Sequence, residues 1–144
     1  MSFARDMLDA SPVQGDLDTG GAAEAIEACL TCAQTCTSCA DSDLGEQNVA
    51  EMARCAALCV TCADVCLTTA RVLSRPFQSD HRLIHHVLRA CVLGCTSSAE
   101  ECERHAAHHR HCAVCAKACR ACLHACEALL QAEAFQRLEK LAGG

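Results

Sequence analysis

Residues 112–126 read CAVCAKACRACLHAC, with cysteines at 112, 115, 119, 122 and 126. Steps of three, four, three and four residues keep one stripe of an α-helix turned toward a partner. A soluble helix normally fills that stripe with Leu, Ile or Val. Here it is filled with thiols. The same rhythm recurs upstream at Cys29, Cys32, Cys36 and Cys39, at Cys55, Cys59, Cys62 and Cys66, and at Cys91, Cys95 and Cys102. Four such stripes predict four helices that share a core lined with sulfur. Such a core binds soft metal.

The composition narrows the fold class. At 144 residues the chain is long enough for one domain with a real core. Three Phe, no Trp, no Tyr and two Pro, in a chain rich in Ala, Leu and Cys, point away from strands. The reading is all-α. A net charge of −6 supplies no basic stripe for a phosphate backbone, so no nucleic-acid partner is expected. The first twenty residues hold several Asp and no apolar h-region, and no run of 18 apolar residues is present to span a membrane. The expected compartment is the cytoplasm, where thiols stay reduced. Sixteen cysteines with regular helical spacing do not look like the irregular spacing of a secreted disulfide scaffold.

The chain divides into an arm, residues 1–18, flexible or loosely docked with a short helical turn around Phe3–Leu8, and a bundle over 19–144. Asp18 or Thr19 is placed to cap a first bundle helix of about 20–43, and Gly45 to stop it. A second helix of about 46–74 ends before Pro76. Ser79 or Asp80 caps a third of about 80–105. The fourth covers about 109–132, with a tail to 144 able to continue it. Short connections make neighbours antiparallel, giving an up-down-up-down four-helix bundle with a cysteine-lined core.

That topology sets a register. Cys39, Cys55, Cys102 and Cys112 fall in one layer, then Cys36, Cys59, Ser98 and Cys115. Below them come Cys32, Cys62, Cys95 and Cys119, then Cys29, Cys66, Cys91 and Cys122, with Cys126 one step further. Ser98 stands where a thiol is expected. Past the last layer an apolar plug forms from Ile26, Leu73, Ile84, Leu88, Leu129 and Leu130. The opposite end gathers Met52, Asp43, His105, His108, His109 and His111. The predicted object is a tube shut at one end with a mouth at the other.

Thiolate suits Cu(I), Zn(II) or iron–sulfur clusters. Pairs one turn apart serve Cu(I) directly, with bridging sulfurs shared between ions. Zinc needs four ligands converging on a point, and nothing in the continuous seam marks off fours. No loop motif for an iron–sulfur cluster occurs. Each Cu(I) that displaces one thiol proton leaves the core neutral, whereas Zn(II) on four thiolates leaves about −2 in a low dielectric. Cu(I), many ions per chain, is the expected cargo. Two alternatives are carried: a zinc-thiolate storage or detoxification protein, and a dithiol redox protein using its Cys-x-x-Cys pairs.

CLTCAQTCTSC, CAALCVTCADVC, CVLGC with Cys102, and CAVCAKACRACLHAC together resemble the bacterial copper storage proteins, in their cytosolic branch, over roughly residues 22–131. The resemblance implies a non-enzymatic four-helix store for many Cu(I) ions, usually a homotetramer, loaded through a His-containing open end. It matches His105, His109 and His111 to that end. Ser98 departs from the pattern. A copper chaperone or a low-molecular-weight thiol would be the partner in loading and release.

All sixteen cysteines with His105, His109 and His111 form the predicted ligand set. His105 lies three residues after Cys102 and His109 four further, so these two rank above His108. His111, beside Cys112, alternates between ligand and surface. His81, His85 and His86 at the plugged end, and His124 off the seam, read as surface or capping residues. Met52 is equally core filler or weak thioether ligand. Asp43 and Asp64 are read as solvated or capping.

Overall fold

The structure, a computed structural model, describes residues 2–143; Met1 and Gly144, the ends of the expected arm and bundle, lie outside the described residues, as do the side chains of 135, 136 and 138–140 of the tail. Five helices follow one another among the described residues: α1 Ala4–Ala10, α2 Thr19–Leu44, α3 Val49–Leu73, α4 His81–His105 and α5 Arg110–Gly143. There is no strand among them.

The sequence signals act where they stand. The Asp18 carboxylate accepts the Gly21 N–H at 2.8 Å and starts α2. Gly45 ends that helix at φ −87°, in the right-handed region rather than the left-handed one that favours glycine. The stop is instead a tightened last turn, with Gly45 N–H on the Ser42 carbonyl at 3.0 Å and Glu46 N–H on Asp43 at 3.3 Å. α3 gives way at Ser74, two residues before Pro76. The Asp80 carboxylate accepts the Arg82 N–H at 2.9 Å and starts α4. At the α4–α5 turn the His105 carbonyl takes the N–H groups of His108 and His109, at 3.1 and 2.9 Å. α5 then runs through the tail to Gly143.

α2 packs against α3 and α5, and α4 packs against α3 and α5, so sequence neighbours are spatial neighbours around a closed, antiparallel square. Buried alanines flank the thiols, among them Ala25, Ala33, Ala63, Ala99 and Ala116, and let the backbones approach. α1 lies on α2, with Leu8 buried in the same core and the Ser2 hydroxyl on Glu27 at 2.8 Å. At one end Ile26, Leu73, Ile84, Leu88 and Leu129 are buried and Leu130 packs half-buried against them. This is the hydrocarbon plug. α3 has the length and apolarity of a membrane span, yet all four of its cysteines are fully buried in the bundle, which accounts for its hydropathy.

Candidate metal centre

All sixteen cysteines are buried and free. A helix turning about 100° per residue carries each three-four stripe inward, and closing four stripes on one another leaves the sulfurs facing the bundle axis. The deeper layers pair as the register requires, whereas at the mouth Cys39 groups with Cys59, Cys102 and Cys115. In the deepest complete layer Cys29 lies 3.7 Å from Cys91 and 3.6 Å from Cys122, with Cys66 3.9 Å from Cys91 and from Cys122. Above it Cys32 is 3.9 Å from Cys62 and 3.8 Å from Cys119, and Cys62 is 3.7 Å from Cys95. Cys36 then meets Cys115 at 3.6 Å, and Cys59 meets Cys115 at 3.9 Å. Cys55 meets Cys102 at 3.7 Å, and Cys126 reaches Cys29 at 3.9 Å.

These separations fit sulfurs that share an ion. Cys29, Cys66, Cys91 and Cys122 have their Sγ atoms within 4.8 Å of one another, and so do Cys32, Cys66, Cys95 and Cys122. The two groups share Cys66 and Cys122. Cys32 belongs again to the group Cys32, Cys36, Cys62 and Cys119. A thiolate committed to one tetrahedral ion is not free for the next, so overlapping groups favour bridging over isolated four-thiol sites.

Ser98 is fully buried in the seam. Its hydroxyl lies 3.5 Å from Cys119, 3.6 Å from Cys59 and 3.9 Å from Cys36.

The mouth corrects one sequence reading. Asp43, read as solvated or capping, is fully buried, and its Oδ1 accepts from the Cys112 thiol at 3.8 Å. It lies four residues after Cys39, so it continues the α2 stripe and faces inward for the same geometric reason as the thiols. Its other oxygen, Oδ2, has no hydrogen-bond partner. Burial holds the Asp43 carboxyl above its ordinary range. Burial first, then the Asp43 charge, pushes the Cys112 thiol up to about 12. Cys39, Asp43, His111 and Cys112 together present one ligand atom each within 4.8 Å.

His111 is the histidine that touches the thiols. Its Nδ1 is 3.3 Å from Cys39 and 3.6 Å from Cys112, while its Nε2 is 3.1 Å from Glu46. A carboxylate accepting from Nε2–H leaves the Nδ1 lone pair turned toward the sulfurs. Glu46 also pairs with His109 Nδ1 at 3.3 Å, and the His111 hydrogen bond holds its carboxyl below the usual range. His109 stands between the other two rings, 5.7 Å from His111 and 6.4 Å from His105, centroid to centroid. His105 Nε2 lies 3.2 Å from Glu101, a buried carboxylate that also pairs with Arg104 and Arg54.

His111, expected to alternate between ligand and surface, has the direct thiol contacts, and His109 and His105 follow it in a row of rings. His108 is exposed, as are Asp64 and His124. His81 sits at the plugged end between Glu133, 2.9 Å away, and Asp16, 3.2 Å away. His85 and His86 are exposed. Met52 is completely enclosed in the core. Glu46 and Glu101 were missed by the sequence reading. No periodicity marks Glu46, which lies on a turn, and Glu101 reaches the histidines only because His105 follows one helical turn later on α4.

The copper storage protein family model matches residues 19–131. No curated protein matches the chain. Among solved structures, the copper storage protein Ccsp of Streptomyces lividans, loaded with 10 copper equivalents, is 45% identical, with a TM-score of 0.88 over 90% of this chain and 98% of that one. A histidine-to-alanine mutant of Streptomyces lividans Ccsp is 47% identical, with a TM-score of 0.80 over 82% of this chain and 98% of that one. A third structure, of copper loading to a cytosolic copper storage protein from Streptomyces lividans with five coppers, is 48% identical, with a TM-score of 0.77 over 78% and 93%.

Proposed function

The chain belongs to the copper storage protein family, and from that premise we propose that it stores many Cu(I) ions on the thiolates of its bundle core. The sixteen cysteines are the storage ligands, and His111, with His105 and His109 behind it, receives the metal at the mouth. The single observation that carries this reading is the run of buried sulfurs, with neighbours 3.5–3.9 Å apart from Cys126 up to Cys55, that Cys39 joins within 4.8 Å and carries to His111 at one end, and that stops against hydrocarbon at the other.

The chemistry follows from the donors. Soft, polarisable thiolate prefers Cu(I), and a sulfur that touches two neighbours can bridge two ions. Metal must displace each thiol proton, so loading is a proton-coupled exchange that leaves every filled thiolate neutral. Nothing in the seam sets one thiol apart as a nucleophile, which fits a store rather than an enzyme. The similar Streptomyces lividans protein is described as cytosolic, and a reducing cytosol would keep sixteen thiols free. We place this chain there too. A homotetramer has exposed apolar side chains on every bundle helix to draw on: Leu30, Val60, Leu67, Leu93 and Val114. A copper chaperone or a small thiol is the partner that the mouth histidines would meet.

The test is an anaerobic titration of the reduced, metal-free protein with Cu(I) in competition with a chromophoric Cu(I) chelator. A break above about ten equivalents, with the chelator colourless until then, supports storage; a break at one to about four equivalents overturns it.

A further inference from the structure

Resting on the storage reading, the geometry points to a waist in the sulfur core, at which copper passing between the mouth and the deep end goes mainly by way of Cys36, because Ser98 stands where α4 would add a sulfur. On the mouth side Cys55 and Cys59 each lie 3.7 Å from Cys102, and Cys59 lies 3.9 Å from Cys115. On the deep side Cys119 and Cys32 lead through Cys62 to Cys95 and Cys66. Cys36 has the close sulfur contacts to both sides, Cys115 at 3.6 Å and Cys119 and Cys32 at 3.5 and 3.8 Å; Cys115 also interacts with Cys119, one turn along α5.

A further crossing exists on α4, but its atom is oxygen. Ser98 Oγ stands 3.6 Å from Cys59 on the mouth side and 3.5 Å from Cys119 on the deep side. A neutral hydroxyl is a hard, poor donor for Cu(I) and does not ionise to bridge two ions. On α4 the seam therefore jumps from Cys102 to Cys95 with no sulfur between them. Ser98 and Cys36 are both fully buried, so neither exchanges its place with solvent. Passage is ligand exchange: the bond from Cu(I) to the Cys115 thiolate breaks as bonds to Cys36 and then Cys119 form. The metal stays Cu(I), and the proton of each newly engaged thiol passes to the thiolate that the metal leaves.

The experiment follows removal of copper from the fully loaded chain by excess Cu(I) chelator, in the wild type, Ser98→Cys and Cys36→Ser. The wild type is expected to unload in two phases, fast for copper on the mouth side and slow for copper below the waist. Ser98→Cys supplies a further sulfur crossing and should merge the phases. Cys36→Ser removes the closest sulfur crossing and should slow the second phase at least about tenfold. Cys126→Ser also deletes a thiol, but away from the waist, and should lose comparable capacity without that slowing. Circular dichroism confirms that each variant is folded, and the two waist variants move the rate in opposite directions. A single phase in the wild type, or slow phases unchanged in both waist variants, overturns the waist while leaving storage intact. A wild type that never loads beyond about four equivalents overturns storage instead.

Discussion

At the scale of one residue, Asp43 occupies a stripe position that its neighbours fill with sulfur. Its carboxylate is fully buried, touches the Cys112 thiol, lies 3.8 Å from His111 and leaves Oδ2 without a partner. A buried polar atom without a partner is destabilising. The upward shift of the Asp43 carboxyl carries the same message, since burial penalises its charged form. The sign is then fixed by linkage. The folded chain keeps a proton that the unfolded chain gives up near the ordinary value of about 3.9, so the cost is absent below that pH. It appears as the pH rises through the folded value and is complete above it. Asp43→Asn keeps the shape and removes the charge. The metal-free variant is expected to melt a few degrees higher than the wild type at pH 7, with the gap closing toward pH 4. Anaerobic thermal melts across that range check it, and a variant that melts lower at pH 7 would show that the charge is stabilising in the apoprotein.

At the scale of the helices, the two ends of the bundle have different tasks. Free thiols pack as small hydrophobes and have little side chain to interlock. The large apolar groups are concentrated at the plug, where Leu88 is fully buried and Leu129 nearly so. Leu88→Ala should therefore cost about 2–5 kcal/mol of apoprotein stability, while the copper capacity at saturation stays that of the wild type. Chemical denaturation and a copper titration on the same preparation separate the two effects, and a matching drop in capacity would mean that the plug also shapes the thiol sites. Four helices, their order and the layer register were legible because period and turn length are local properties of sequence, as the pairing of Cys29 with Cys91 and of Cys36 with Cys115 illustrates. The inward turn of Asp43 was legible too, four residues past Cys39, but residue chemistry outweighed register in the reading. Glu46 and its grip on two histidines were not legible, since a turn residue meets its partners only once α2 and α5 are packed. Gly45 shows the converse: the stop falls where glycine marks it, by a different backbone route.

For the whole molecule, the question is how a protein core accepts charge after charge without coming apart. Thiols with ordinary pKa values of about 8.5 are mostly protonated at neutral pH, and burial with the neighbouring carboxylate takes Cys112 higher still. A core of sixteen protonated thiols is neutral and tolerable in a low dielectric. Cu(I) carries one positive charge per ion, so the interior is neutral once ions and thiolates are equal in number. Zn(II) on four thiolates displaces about four protons per ion and leaves a net charge of about −2 behind. The proton count thus distinguishes the two cargoes without reference to affinity. Loading the metal-free chain in weak buffer should release about one proton per Cu(I) toward saturation, where bridging lets the ions become about as many as the thiolates. Because the metal binds the folded chain far better than the unfolded one, the same titration should raise the melting temperature by more than about 10 °C. A pH-stat beside calorimetry reads both quantities. A slope near four protons per metal, or a melting point indifferent to copper, would mean that the sulfur core does not act as a neutral Cu(I) lattice.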